Sequence, residues 1–257
     1  MQDILSIISG SLVGFTLGLI GGGGSVLSVP LLIGVVGVTQ PHIAIGTSAV
    51  AVAASAALNL ITHARMETVK WRCALVFAAA GVFGAGVGAA LGKATNGKTL
   101  LALFGFLMLA IAALMLRKRK GGSKPDVKLT VESARKLLPA LLGTGFGVGA
   151  LSGFFGIGGG FLVVPGLIGA TSMPILNAVG SSLVSVTAFG VTTAVSYALD
   201  GLVDWRIAGY FVLGGVGGGF AGVLMAKRLA TQKDALTKAF SGIVMLAGIY
   251  VVYRGLT

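Results

Sequence analysis

The sequence predicts an all-α integral membrane protein made of two related halves, and three observations predict it. The 257 residues are 55% hydrophobic and only 10% charged, with a mean hydropathy of +0.98, whereas a soluble domain carries about 25% charged residues. Uncharged apolar runs, such as 43–61 and 100–116, approach or reach the roughly 20 residues with which a helix crosses a bilayer. A glycine-rich segment also occurs twice, in corresponding places.

The repeated segment reads GLIGGGGSVLSVP over 18–30 and GFFGIGGGFLVVP over 153–165. Glycine clusters break helices because glycine loses more backbone freedom on folding than any other residue. The helix that restarts after a break presents unpaired N–H groups, which can bind an anion. Small residues also allow membrane helices to pack closely. Because the two breaks occupy corresponding places in two halves, the pattern favours a transport site over packing alone.

In chain order the sequence predicts about ten helical segments. Those of the first half are 3–20, 25–38, 43–62, 73–92 and 99–116, and those of the second half are 137–155, 160–169, 177–199, 207–226 and 237–253. The segment after the first glycine cluster would be only roughly 21 Å long as a helix, which is short for a span. Each break is therefore either a junction between short helices or the tip of a re-entrant hairpin, followed by three spanning helices.

An internal duplication divides the chain into a first transmembrane repeat, 1–116, a basic linker, 117–136, and a second transmembrane repeat, 137–257. Gly46-Thr47-Ser48 corresponds to Gly180-Ser181-Ser182, and Trp71-Arg72 corresponds to Trp205-Arg206. The register changes only once, by one residue, so the repeat is well defined.

The charged linker predicts the orientation of the halves. It is dense in Lys and Arg, which places it in the cytoplasm. An odd number of crossings in each half would invert one repeat relative to the other. That arrangement places more of the 19 Lys and Arg residues on the cytoplasmic side than a parallel one does, and it leaves the acidic loop 200–204 outside. We therefore expect inverted-topology repeats.

The predicted spans contain hydroxyls and one amide but no carboxylate well inside them. Ser48, Ser55 and Asn59 share one helix face by their spacing, and Ser182, Ser185 and Thr193 form a matching stripe in the second half. Such residues can also bond their own helices or join neighbouring ones. The absence of buried Asp and Glu disfavours a cation substrate and a carboxylate proton relay. Neutral donors beside helix N-termini suit an anion.

The remaining polar residues indicate neither a metal site nor a catalytic one. His63 and Tyr197 occupy equivalent positions at the ends of the stripes, and they are expected at the membrane interface with Trp71 and Trp205. Two His and a lone Cys73 provide no metal cluster and no pair of nucleophile and base. The net charge of +12 lies between the spans, where it orients the chain rather than binding nucleic acid. We expect no enzyme, no cofactor and no nucleic-acid partner.

The paired glycine breaks, followed by Ala44-Ile45-Gly46-Thr47-Ser48 and Ala178-Val179-Gly180-Ser181-Ser182, resemble the TauE/SafE family of sulfite and organosulfonate exporters. The resemblance covers essentially the whole chain. It implies a prokaryotic inner-membrane transporter of sulfite, of sulfonates such as sulfoacetate, or of related oxyanions. The first cluster departs from the second by having Gly22 for Ile157 and Ser25 for Gly160, so the two half-sites need not contribute equally.

These observations predict a secondary transporter with one anion site at the repeat interface, working by alternating access. An anion channel and a transporter of another small organic anion are the alternatives, and H⁺ or Na⁺ is a possible coupling ion. The predicted substrate-binding residues are Gly22, Gly23, Gly24, Ser25, Thr47, Ser48, Asn59, Gly158, Gly159, Gly160, Phe161, Ser181, Ser182 and Thr193. We expect a multi-pass protein of the cell's inner membrane, in contact with the lipid bilayer.

Overall fold

The computed structural model describes residues 2–116, 131–228 and 233–256, and within these ranges it consists of ten α-helices and no strand. The helices are α1 (Gln2–Ile20), α2 (Ser28–Leu31), α3 (Pro41–Arg65), α4 (Trp71–Ala94), α5 (Gly97–Leu116), α6 (Val131–Phe155), α7 (Gly160–Thr171), α8 (Ile175–Leu199), α9 (Trp205–Arg228) and α10 (Lys233–Leu256). The prediction of an all-helical protein with about ten segments is confirmed.

Six of these helices are long and apolar enough to cross a membrane, namely α1, α3, α4, α6, α8 and α9. Shorter apolar helical stretches occupy 24–36, 97–113, 160–171 and 241–256. Most of the predicted linker, 117–130, lies outside the described residues. Helix α6 begins at Val131, six residues earlier than the predicted arm. Glu, Ala, Arg and Lys in this stretch favour helix, so the membrane helix continues beyond its apolar part.

The two predicted repeats, called the first and second repeat below, pack against each other in a reciprocal way. Helix α1 of the first repeat packs on α9 of the second, and α6, which corresponds to α1, packs on α4, which corresponds to α9. Helices that correspond in the duplication also contact each other, α3 with α8 and α5 with α10. Each repeat therefore buries its faces mainly against the other repeat.

Glycine backbones form these reciprocal contacts. A Cβ atom at Gly14 in α1 would overlap the backbone of Gly215 in α9, and a Cβ at Gly149 in α6 would overlap the backbone of Gly81 in α4. Gly10, Gly18, Gly145 and Gly153 make contacts of the same kind with the facing helices. In a membrane, where lipid tails are as apolar as the helices, such close packing is a main source of helix association.

Corresponding helices run antiparallel to each other. Gly46, near the start of α3, packs on Tyr197 near the end of α8, whereas Gly190 in α8 packs on Ala53 in the middle of α3. Helices α5 and α10 behave in the same way, since the backbone of Ala102 lies against Gly255 and Met108 lies against Gly248. This antiparallel arrangement is the one that inverted repeats would produce.

The backbone packing of α6 on α4 leads to a test with a matched control. Gly149→Leu places a side chain where the backbone of Gly81 lies, whereas Gly147→Leu in the same helix points into open space. We expect Gly149→Leu to destabilise the fold by about 1–3 kcal/mol or more, and Gly147→Leu to stay within about 0.5 kcal/mol of the wild type. Thermal unfolding of the detergent-solubilised proteins measures both. Equal midpoints for the two variants would contradict the packing role.

Candidate functional site

The two glycine breaks meet inside the protein. The 3₁₀ segment Gly21–Leu27, which holds the first break, contacts α7, the helix that follows the second break. Val26 of the first segment and Ile157 and Phe161 of the second belong to one buried apolar cluster. The local sequences that were predicted to form a site in two halves are therefore brought together by the fold.

The second break is a tight turn that requires glycine. Gly156, Gly158 and Gly159 have φ angles of +64°, +62° and +66°, in the left-handed region that residues with a Cβ avoid. Space is restricted as well, since a Cβ at Gly158 would lie 2.9 Å from Val52 Cγ1 in α3. The break is thus positioned against the helix that carries the first polar stripe.

Helix α7 begins immediately after this turn. Gly159 precedes its first residue, and the Gly159 carbonyl accepts hydrogen bonds from the N–H groups of Leu162 and Val163, both at 2.9 Å. The helix has 12 residues, and its N-terminus carries a partial positive charge of roughly half a unit. The predicted residues Gly158, Gly159, Gly160 and Phe161 all lie at this N-terminus and are buried.

The first break has a different backbone. Gly21–Leu27 continue from α1 as a 3₁₀ helix, and Gly24 packs against the backbone of Leu17 and the side chain of Thr16. Gly22 and Gly23 lie within this segment, and Ser25 is fully buried. After the single turn of α2, the chain forms a π-helical turn over Leu32–Val36. In the second repeat, the corresponding residues belong to the regular helix α7. The two half-sites are therefore unequal in conformation.

Ser152 is a residue that sequence reasoning missed. It lies in α6 directly before the second glycine segment and is fully buried, with a side-chain oxygen that has no hydrogen-bond partner. A Cβ at Gly159 would come within 2.6 Å of Ser152 Cβ, so this hydroxyl group lies beside the turn that begins α7. One sequence signal could have identified Ser152. It is a hydroxyl residue next to the second break, whereas the first repeat has Leu17 at the corresponding position.

The polar stripe of α8 adds two more hydroxyl groups without partners. Ser185 and Thr193 are fully buried, and neither side-chain oxygen has a partner. They share a helix face with Phe189 by their spacing of four residues, and the Phe189 ring lies 3.5 Å from the Cβ position of Gly159. Ser182 differs, because its hydroxyl donates to the carbonyl of Val179 at 2.7 Å.

The polar stripe of α3 faces glycines of α9. Ser55 and Asn59 lie against Gly215 and Gly219, which leave room for the polar side chains. The Asn59 amide donates to the carbonyl of Ser55 at 3.0 Å. Nearer the start of α3, the Ser48 hydroxyl forms a hydrogen bond with the hydroxyl of Ser28 in α2. The stripe therefore reaches the helix that follows the first break.

Thr47 and Ser181 hold loops of the opposite repeat. The Thr47 hydroxyl accepts a hydrogen bond from the N–H of Asp204 at 2.9 Å, and the Ser181 hydroxyl accepts one from the N–H of Lys70 at 2.8 Å. The two donors lie directly before a helix, since Asp204 precedes α9 and Lys70 precedes α4. These two predicted binding residues are therefore engaged in joining the repeats.

His63 and Tyr197, at the ends of the two polar stripes, are buried within the protein. The two tryptophans, which were expected with them at the membrane interface, are exposed. His63 and Tyr197 are 4% and 0% exposed, whereas Trp71 and Trp205 are 47% and 65% exposed. His63 Nδ1 bonds the Thr68 hydroxyl at 3.1 Å. The Tyr197 hydroxyl and His63 Nε2 have no partner. Packing against the opposite repeat, such as that of Gly46 on Tyr197, buries these positions.

The site is polar but carries no carboxylate. In the described part of the chain, the buried polar side chains are Ser, Thr, Asn and His, and no group of three or more His, Cys, Asp or Glu residues could hold a metal ion. Hydroxyl and N–H donors beside a helix N-terminus can bind an anion without a buried countercharge. The arrangement can therefore offer hydrogen bonds, but no ion pair with a buried cation, to a ligand.

Comparison with known proteins agrees with this picture. The sequence model of the family described as "Sulfite exporter TauE/SafE" matches residues 6–251. A "Probable membrane transporter protein" of Xylella fastidiosa (strain 9a5c) is 51% identical over 251 residues, 98% of this chain and 95% of the relative. The "Probable membrane transporter protein YunE" of Bacillus subtilis is 27% identical over 273 residues, 100% of this chain and 99% of the relative.

No solved structure matches this chain significantly. The family match spans both glycine breaks and both polar stripes, and the relatives match over nearly their whole length. With six helices suited to cross a membrane, the chain belongs to the TauE/SafE family and is a multi-pass membrane transporter rather than an enzyme.

Proposed function

We propose that this transporter moves sulfite or small sulfonates, such as sulfoacetate, across the inner membrane of a prokaryotic cell. The observation that carries the proposal is the buried hydroxyl of Ser152, which has no partner and lies beside the N-terminus of α7. A buried hydroxyl without a partner is costly, so this group is suited to bind a ligand. The family description supports the sulfur oxyanion as that ligand.

The chemistry of the site fits an oxyanion. Ser152 offers a hydrogen-bond donor beside the N-terminus of α7, and this N-terminus adds a partial positive charge. A sulfite or sulfonate group has several oxygens that can accept such bonds. Neutral donors bind less tightly than a buried Lys or Arg would, which allows release. The first break, with Gly22, Gly23, Gly24 and Ser25, would close the site from the opposite side, near the stripe that holds Ser48 and Asn59.

The transport mechanism would be alternating access by two inverted repeats, 1–116 and 137–257, joined by a cytoplasmic linker over 117–136. The antiparallel packing of α3 on α8 and of α5 on α10 supports the inversion. The site would lie at the interface of the repeats, and one repeat would rock against the other. A gradient of H⁺, of Na⁺ or of the substrate itself would drive the movement.

Two ion pairs join the repeats at the end of the molecule that holds the loop 200–204. Lys93 pairs with Asp200, and Arg206 pairs with Asp3 at 2.7 Å. Lys93 also donates to the carbonyl of Ser196 at 3.1 Å. Partly exposed pairs contribute only about 0–1 kcal/mol each, so they can close this end and still break in each transport cycle.

Flux through purified protein in liposomes tests the substrate. We expect saturable uptake of sulfite and sulfoacetate, with sulfate and chloride as controls, because the site binds an oxyanion through a limited set of donors. Imposed H⁺ and Na⁺ gradients identify the coupling ion. Folded protein that moves none of the sulfur anions would contradict the substrate proposal, and channel-like conductance would contradict alternating access.

Ser152→Ala tests the site. We expect kcat/KM for the transported anion to fall about tenfold or more, because a hydrogen bond to a charged group contributes roughly 1.5–3 kcal/mol. Stability should not fall, since the hydroxyl bonds nothing within the protein. Thr144→Val is the control, because Thr144 lies in the same helix, is exposed and bonds only its own helix carbonyl at Ala140. Unchanged flux in Ser152→Ala would remove this residue from the site.

Cysteine labelling tests the inverted orientation. In a protein whose native Cys73 is replaced by Ala, we expect Asp200→Cys to react with an impermeant thiol reagent added outside intact cells. Arg65→Cys, at the end of α3, should be protected, because inverted repeats place the loop after α3 in the cytoplasm and the loop after α8 outside. Protection of both sites would support parallel repeats instead.

A further inference from the structure

A groove with apolar lining opens on the outer surface of the helix bundle. It lies between α1, the stretch from Leu27 to Val35, and α10, and has a volume of about 340 Å³. Leu12, Val35 and Ile243, among its lining residues, are 46%, 43% and 50% exposed. In a multi-pass membrane protein, such an exposed apolar surface faces lipid.

The first and second repeats differ in backbone conformation at the groove. The chain forms a π-helical turn over Leu32–Val36 in the first repeat, whereas α7 remains a regular helix through the corresponding residues. Gly34 within this turn has no side chain, and its Cβ position is 2.9 Å from Cε1 of Tyr250 in α10. A larger residue at Gly34 would push the tyrosine ring, so the glycine shapes the wall.

The groove is shorter along α10 than a bilayer is thick. Ile243, Ala247, Tyr250 and Arg254 lie along one face of α10 by their spacing, and the first three line the groove. The rise from Ile243 to Tyr250 is roughly 10 Å, about a third of the roughly 30 Å hydrocarbon core. A transmembrane helix of a partner would need a contact surface through both leaflets, whereas the acyl chain of a lipid needs one.

A cation lies at the end of the groove. The Arg254 guanidinium donates to the Tyr250 hydroxyl at 3.2 Å and lies 5.9 Å from the centre of its ring. Lys98, at the start of α5, contacts Gly255 through its backbone. An arginine beside an apolar groove suits a lipid phosphate, to which it can offer two parallel hydrogen bonds.

The carboxylates near this end of the molecule are engaged elsewhere. Asp3 pairs with Arg206, Asp200 pairs with Lys93, and the Asp204 side chain accepts a hydrogen bond from the N–H of Ile207 at 3.0 Å. Among the described residues, none of these carboxylates forms an ion pair with Arg254, so the cation beside the groove keeps its positive charge. This favours an anionic lipid over a zwitterionic one.

We propose that this groove is a binding site for an anionic phospholipid such as phosphatidylglycerol. One acyl chain lies along Leu12, Val35 and Ile243, and the phosphate binds Arg254. The site is separate from the proposed substrate site and does not depend on which anion is transported. A lipid bound here would contact both the segment after the first glycine break and the last helix of the second repeat.

Native mass spectrometry of the purified protein, titrated with phosphatidylglycerol or phosphatidylcholine, tests the proposal. We expect Val35→Phe, which fills the groove, to weaken retention of phosphatidylglycerol about tenfold, and Arg254→Gln to weaken it by a similar factor and abolish the preference over phosphatidylcholine. Val216→Phe is the control for the first variant, because Val216 is 45% exposed on α9 and lies outside the groove. Arg65→Gln, an exposed cation at the end of α3, is the control for the second.

Two outcomes would overturn the proposal. Equal retention of phosphatidylglycerol in Val35→Phe and Val216→Phe would show that the groove holds no specific lipid. A wild-type dimer that Val35→Phe alone converts to a monomer, in the same spectra, would show that a second copy of the chain occupies the groove. Both substituted valines are exposed, and equal thermal unfolding midpoints of the two variants check that neither outcome results from misfolding.

Discussion

The structure depends on backbone contact between helices of opposite repeats. Gly14 meets Gly215 between α1 and α9, and Gly149 meets Gly81 between α6 and α4. A bilayer supplies no hydrophobic force between apolar helices, so van der Waals contact at small residues has to provide much of the association. The same contact brings the ends of α1 and α6, and hence both glycine breaks, to the middle of the protein.

This packing explains why irregular backbone can exist inside the bundle. Peptide groups outside regular helices cannot face lipid, because each unsatisfied group costs several kcal/mol there. The turn at Gly158 and Gly159 is enclosed by α3, α6 and α8, as its contacts with Val52, Ser152 and Val186 show. The buried hydroxyl of Ser152 beside the turn can donate a hydrogen bond to a ligand with acceptor oxygens.

Polar residues predicted as one group divide into different roles. Thr47 and Ser181 accept hydrogen bonds from loops of the opposite repeat, and Ser182 bonds its own helix. Thr193 keeps a side-chain oxygen without a partner, as does Ser152, which the stripe pattern does not include. Spacing along a helix indicates which residues share a face, but it does not show whether a hydroxyl finds an acceptor on the facing helix.

The sequence by itself determined the helical membrane class, the ten helical segments and the two breaks, because hydrophobicity, length and glycine act locally along the chain. Most of the predicted segment ends lie within a few residues of the observed ones. Only the tertiary structure decided that the breaks meet, that Ser152 lies beside the N-terminus of α7 and that Tyr197 is buried. It also decided that Gly21–Leu27 form a 3₁₀ segment while Gly156, Gly158 and Gly159 form a left-handed turn. The physical reason is that the meeting of the breaks and the burial of Tyr197 arise from contacts between residues more than a hundred positions apart, which no local pattern records. Ser152 and Gly159 are only seven residues apart, but it is the left-handed turn that brings them together.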